Sequence, residues 1–165
     1  MRAATVRARG NKMPQRLDGV RVLVVEDDPD CLALFRVILE MDGAEVATAS
    51  DARQGLRMLE PFRPHVLVSD LSLPDEDGCW MVASARSSVG PGAPRPATVI
   101  VTAHAEASVR QRCLRAGCDA FLSKPLDDGE LCDVVARLAS RAPLVPTCRT
   151  DRGFLSHGGD ERSGA

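Results

Sequence analysis

Five short apolar runs, rich in β-branched residues, alternate along this chain with five stretches whose apolar positions recur at helical spacing. The runs are Arg21–Val25, Glu45–Ala49, His65–Ser69, Ala97–Val101 and Ala120–Ser123. Several are continuous rather than alternating, the pattern of strands covered on both faces. Between them, Pro29 opens a helix with an apolar face of Leu32, Leu34, Phe35, Ile38 and Leu39, ended by Gly43. Ser50 is expected to cap a second helix carrying Ala52, Leu56 and Leu59 and stopped by Pro61. Further helices are predicted over 79–88, over 106–116 ending at Gly117, and from a cap at Asp127 or Asp128 to about Arg141. The Pro/Gly-dense stretch Gly90–Pro96 reads as a loop.

Regular alternation of strand and helix predicts one α/β domain, a five-stranded parallel sheet with helices on both faces. Right-handed crossovers leave few topologies. Residues 1–19 hold Arg2, Arg7, Arg9, Lys12 and Arg16 against Asp18 without apolar periodicity. They read as a disordered basic arm, or as sequence upstream of a start at Met13. From Pro143 the chain turns to Pro, Gly, Ser, Asp and Arg, so 142–165 is expected to be a disordered tail. The domain between is 20–141.

Composition narrows the function by exclusion. Basic and acidic residues number 21 and 23, which gives no overall charge reason to expect nucleic acid or an anionic membrane as partner. No apolar run approaches the length of a membrane span and no signal-peptide core stands near the start, so a cytoplasmic protein is expected. The cysteines at 31, 79, 113, 118, 132 and 148 lack C-x-x-C spacing. They are read as thiols, with Cys31, Cys113 and Cys132 as small packing residues rather than a zinc site or disulfide framework. Neither G-x-G-x-x-G nor G-x-x-x-x-G-K-[ST] follows the first strand, so dinucleotide and P-loop chemistry are unsupported.

The carboxyl ends of parallel strands share one edge, where open α/β sheets bind ligands. Glu26 and Asp27 follow the first strand, Asp70 the third, Thr102 the fourth and Lys124 the fifth. Taken singly, each has a plainer reading: helix acids, a turn or cap aspartate, a strand-end threonine, a solvated loop lysine. Together, the carboxylates repel one another unless a cation sits among them, and an oxygen-rich site open to water and phosphate suits Mg²⁺. Asp70 is then placed to attack phosphorus and form an aspartyl phosphate. Lys124 can pair with phosphoryl oxygens and Thr102 can donate its hydroxyl to one.

The segments VLVVEDDP, SDLSLPDEDG, VIVVTA and AGCDAFLSKP, in this order and separation, resemble the receiver domain of two-component response regulators from about Val20 to Arg141. The resemblance implies a flavodoxin-like strand order, 2-1-3-4-5, the order that receiver proteins share with flavodoxin. It makes Asp70 the phosphoacceptor. Asp27 and Asp70 would bind Mg²⁺ directly, Glu26 would act through water, and the Ser72 backbone carbonyl would be a further ligand. Thr102 and Lys124 would contact the phosphoryl group, and Lys124-Pro125 would be a cis peptide. Phe121 matches the aromatic that turns inward when Thr102 is drawn to the phosphate; as Phe it lacks the hydroxyl of Tyr. Ser72 and His104 occupy positions that tune the lifetime of the phosphate, although His104 also reads as an exposed loop residue.

The implied partner is a sensor histidine kinase or histidine phosphotransfer protein, and the implied chemistry is confined to the chain's own phosphorylation and dephosphorylation rather than that of an enzyme. Arg110, Arg112 and Arg115 are candidates for a docking face, or simply a solvated one. Too little apolar sequence follows Arg141 for a DNA-binding or catalytic domain, so output is expected to pass to another protein. Both a free-standing regulator and a receiver derived from a hybrid kinase stay open; Arg16-Leu17-Asp18-Gly19 resembles the approach to the latter. A phosphatase of the haloacid-dehalogenase type would carry an Asp where Ser72 stands. A phosphorylation-independent pseudo-receiver is the alternative reading, although no acid, Thr or Lys of the set is lost.

Overall fold

A computed structural model describes residues 15–88 and 94–141. The basic arm through residue 14, positions 90–93 of the Pro/Gly loop, Cys148 and the tail from 142 lie outside the described residues. The strands are β1 (Arg21–Val25), β2 (Glu45–Ala49), β3 (Val66–Asp70), β4 (Ala97–Thr102) and β5 (Ala120–Ser123). The helices are α1 (Pro29–Met41), α2 (Ala52–Phe62), α3 (Gly78–Ser87), α4 (Ala107–Ala116) and α5 (Asp128–Ala139). All strand pairs are parallel, in the order β2-β1-β3-β4-β5.

The continuous apolar runs are explained by what covers each face. Val22, Val24, Val66, Val68, Val99 and Val101 point into a core closed by Phe35 and Leu39 of α1 and by Leu131 and Val135 of α5. Their neighbours Leu23, Val25 and Leu67 point the other way, against Ala52 and Leu59 of α2 and Met81 and Ala85 of α3. Ile100 meets Val82 of α3 and Cys113 of α4 on that same side. Successive side chains on one strand therefore feed two helical layers.

Several local expectations shift. Leu34, placed on the apolar face of α1, is 53% exposed, while Phe35 and Leu39 carry that face. Asp51, not Ser50, caps α2: its carboxylate accepts from Gln54 N–H at 2.6 Å, and Gln54 Oε1 accepts from Ser50 N–H. The cap falls one residue later than expected, and Gln54 reaches past it to the N–H of the preceding residue. Pro61 does not stop α2, which continues to Phe62. Near a helix end a missing N–H costs one bond, and Arg63 N–H closes the last turn onto Leu59 O from a left-handed conformation (φ 49°). Leu17, expected to belong to the arm, is wholly buried in the core, and its N–H bonds Asp42 O. Among the described residues no helix is long and apolar enough to cross a membrane.

Candidate functional site

The site forms where β1, β3, β4 and β5 end. The register sets Asp70 beside Val101 and Thr102 beside Ser123, so the polar residue that terminates each strand arrives at a common edge. Asp70 is the last residue of β3, one position further along than the strand expected from sequence. The displaced residue, His65, is buried; its Nδ1 accepts from Arg21 N–H at 2.9 Å, and desolvation holds its imidazole below its ordinary pKa.

Glu26, Asp27 and Asp70 each offer a carboxylate oxygen within 4.8 Å of the others. Glu26 is almost fully buried, Asp70 is buried and Asp27 faces solvent. Glu26 is anchored through its backbone, with its N–H on Ala49 O at 3.0 Å. Its carboxylate accepts from Asp28 N–H at 3.3 Å and from Lys124 Nζ at 2.7 Å. Asp28 turns away from this group to cap α1, accepting from Cys31 N–H at 2.8 Å, which holds its carboxyl below the usual range.

Lys124 is the cation opposite these acids. Its backbone N–H bonds Thr102 O at 2.8 Å, and Lys124-Pro125 is cis. Nζ lies 3.8 Å from Asp70 Oδ1 as well as against Glu26, and 5.8 Å from the centre of the Phe35 ring. The ring face gives the ammonium stem an apolar floor.

Burial pushes the carboxyls of both Glu26 and Asp70 up, because a carboxylate removed from water loses hydration. Lys124 opposes the rise at both, and the N–H groups of Leu71 and Ser72 oppose it at Asp70. Desolvation alone would lower Lys124; Glu26 and Asp70 outweigh it and hold the ammonium above its ordinary pKa. The edge is thus short of positive charge, with two buried acids sharing one lysine.

Thr102 is wholly buried, and its Oγ1 accepts from His104 N–H at 3.1 Å. The acceptor side of the hydroxyl is engaged, which leaves its proton to donate. His104 itself is exposed, and its contribution here is its backbone. Ser72 is exposed in the β3–α3 loop and forms an isolated β-bridge with Asp77. Phe121 is half-buried on β5, beside Ile100 in register and packed on the cluster that contains Cys113. Arg110, Arg112 and Arg115 all stand exposed on α4, Arg112 pairing with Asp77 at 3.3 Å.

Sequence reasoning passes over two residues that shape this edge. Phe35 reads only as core, and nothing in its spacing shows that a lysine from the far end of the domain will lie over it. Gly78 reads as a backbone breaker; the structure gives a steric reason, since a Cβ there would lie 2.3 Å from Asp70 O and 2.9 Å from Leu71 Cα. The helix that follows Asp70 can pack this close only because its first residue has no side chain.

The family profile of the response regulator receiver domain matches residues 22–136, well over half of the chain. An uncharacterized 14.6 kDa protein of Leptolyngbya boryana is 38% identical over 129 residues, covering 78% of this chain and 97% of that protein. The transcriptional regulatory protein PrrA of Mycobacterium tuberculosis is 36% identical across 79% of this chain, which spans only 54% of PrrA's length. Among solved structures, a CheY-like receiver domain protein of Methanospirillum hungatei superposes with a TM-score of 0.67 at 30% identity, covering 74% of this chain and 94% of that one. The receiver domain of the sensor histidine kinase PA1611 of Pseudomonas aeruginosa, solved with a magnesium ion in its active-site cleft, gives 0.67 at 28% identity, covering 73% and 98%.

Proposed function

This chain belongs to the response regulator receiver domain family of two-component signalling, and on that premise we propose that it is a phosphorylation-dependent switch whose phosphoacceptor is Asp70. The observation that carries the reading is the meeting of three carboxylates and one lysine around the end of β3, with two of the acids raised by burial. All-oxygen donors in excess of positive charge fit a hard divalent cation, and Mg²⁺ is the one proposed. Asp27 and Asp70 would hold it directly, Glu26 through water, and the Ser72 carbonyl would complete the protein's share. When bound, the ion neutralises the acids and polarises an incoming phosphoryl group.

The chain's own residues do the rest. The donor is a phosphohistidine of a sensor kinase or a histidine phosphotransfer protein. An Asp70 carboxylate oxygen forms the new O–P bond as the P–N bond breaks, and the electron pair leaves with the imidazole nitrogen, which takes a proton. Lys124, already 3.8 Å from Asp70, pairs with the added phosphoryl charge. The Thr102 hydroxyl, with its acceptor side on His104 N–H, donates its proton to a phosphoryl oxygen. Drawing Thr102 toward the phosphate empties space beside β4, into which the half-buried Phe121 turns, and the exposed face of α4 with Arg110, Arg112 and Arg115 changes its presentation to a partner protein. Ser72 and His104 flank the water path and set the phosphate's lifetime.

The test is intact-mass analysis after incubation with Mg²⁺ and acetyl phosphate, on wild type and Asp70→Asn in parallel. One phosphoryl adduct on wild type and none on the variant is the expected result. Equal labelling of both proteins removes Asp70 from its role. Absence of an adduct together with failure to bind beryllofluoride would instead make the chain a phosphorylation-independent interaction module.

A further inference from the structure

The loop after Asp70 is held at its tip by a helix it does not lead into. Asp75 Oδ1 accepts from Ala52 N–H and its Oδ2 from Arg53 N–H, each at 2.9 Å. The Arg53 guanidinium returns to Glu76, with Nη2 3.0 Å from Oε1. Helix α2 already has its own cap in Asp51, which takes Gln54 N–H. The first amide donors of α2 are therefore divided between its own capping residue and a carboxylate from the β3–α3 loop, a charge-assisted arrangement that also suits the positive end of the helix dipole. Desolvation works to raise the Asp75 carboxyl, and the backbone N–H groups of Ala52, Arg53, Glu76 and Asp75 itself together outweigh it and hold the carboxyl below its ordinary pKa.

The base of the same loop is closed by Gly78 N–H on Leu71 O at 2.8 Å and by the bridge between Ser72 and Asp77. Its base and its tip are thus both fixed, and Ser72 stands at the base, three residues before the clamped Asp75. Only Ser50 and Asp51 separate the start of α2 from Ala49, whose carbonyl accepts the Glu26 N–H. Both acid-bearing strand ends therefore converge on one structural post: Glu26 through Ala49, and the Asp70–Ser72 segment through Asp75.

We propose that Asp75 is a positioning residue for the cation and phosphoryl site, clamping the β3–α3 loop to the first turn of α2 so that the Ser72 carbonyl is held in place relative to Asp27 and Asp70. This inference rests on the receiver reading of the site. Asp75 touches neither ion nor phosphate; it acts by removing the freedom of the loop that does. Outer partners that orient metal ligands commonly matter by about tenfold or more in affinity.

The experiment titrates MgCl₂ calorimetrically into the full chain as wild type, Asp75→Ala, Asp75→Asn and Asp51→Ala, and then measures acetyl phosphate labelling at saturating Mg²⁺. Asp51→Ala removes the helix's own cap and leaves the loop's clamp, so it reports on α2 stability alone. Expected is a Mg²⁺ affinity about tenfold weaker in Asp75→Ala, an intermediate value in Asp75→Asn, which keeps one acceptor oxygen, and a value within about twofold of wild type in Asp51→Ala. At saturating Mg²⁺ the Asp75→Ala labelling rate returns to within about twofold of wild type, because the variant loses ligand placement and not chemistry. Unchanged affinity in Asp75→Ala overturns the inference, as does equal weakening in Asp51→Ala and Asp75→Ala, which would make it an effect of helix integrity. Failure of wild type itself to bind Mg²⁺ overturns the receiver reading and the inference with it, and the wild-type titration separates that failure from the others.

Discussion

The loop that leaves the sheet beside Asp70 and the loop that leaves beside Thr102 lie on the same edge, yet they are secured very differently. The β3–α3 loop is closed at its base between Leu71 and Gly78, bridged between Ser72 and Asp77, and clamped at its tip through Asp75 and Glu76. In the β4–α4 loop, the side-chain bond among the described residues is that of Thr102 with His104 N–H. Glu106 stands at the cap position of α4 and makes no side-chain cap bond. Cys113 is the buried residue of that helix, and its C-terminal end is fixed by Gly117 in a left-handed conformation and by Arg86 Nη1 on Gly117 O at 2.8 Å. Helix α4 is thus anchored at its far end, while its first turn packs through the partly buried Val109 and carries no side-chain cap.

Under the proposed function, the difference would separate two demands on one edge. Holding a cation and a phosphoryl group needs ligands that do not wander, and a fixed loop supplies them without an ordering cost at each binding event. Reporting the event needs an element whose two positions differ little in free energy, and sparse contacts provide that. In the proposed switch, the half-buried Phe121 and the uncapped start of α4 would sit on the reporting side.

Asp70→Asn is expected to abolish phosphorylation entirely while the protein keeps its circular dichroism spectrum. The same substitution also changes the electrostatics of the edge. In metal-free protein, the raised carboxyls of Glu26 and Asp70 bind protons more readily folded than unfolded. Their contribution is therefore full below the ordinary carboxylate pKa and lost as pH rises through the raised values. Stability of metal-free wild type should fall over that window, and in Asp70→Asn the fall should be shallower and the stability at neutral pH higher, as read by urea melts across pH.

On the fixed side, Gly78→Ala sets a Cβ against backbone atoms that cannot move aside. A loss of about 1–3 kcal/mol in urea unfolding is expected, together with weaker Mg²⁺ binding. On the loose side, Cys113→Ala should cost about 1 kcal/mol and speed hydrogen exchange in α4, with Mg²⁺ affinity unchanged. Smallest of all, Arg112→Ala breaks an exposed pair with Asp77 and should change stability by less than about 0.5 kcal/mol.

The legibility of the sequence divides along related lines. Continuous β-branched runs are readable as doubly covered strands because burial on both faces constrains every residue in them, and the sheet order follows the resemblance. The polar residues Glu26, Asp27, Asp70, Thr102 and Lys124 can be gathered because parallel strands bring their ends to one edge. What escapes reading is whatever depends on a partner distant in the chain. Asp75 looks like an ordinary turn acid until Ala52 and Arg53 are found beneath it. Ser50 and Asp51 are both good caps, and Gln54 decides between them. Leu34 fits the apolar period of α1, yet the sheet face it would need is taken by Phe35 and Leu39. Leu17 sits in a basic stretch without periodicity, so a single buried leucine there leaves no pattern.

Amide hydrogen exchange on wild type, with and without Mg²⁺ plus beryllofluoride, addresses the division of this edge most directly. Addition of the phosphoryl mimic is predicted to change exchange chiefly in residues 103–112, while residues 71–77 are slow in exchange beforehand and change little. Fast exchange in 71–77 that is quenched on binding, with 103–112 unaffected, would contradict that division.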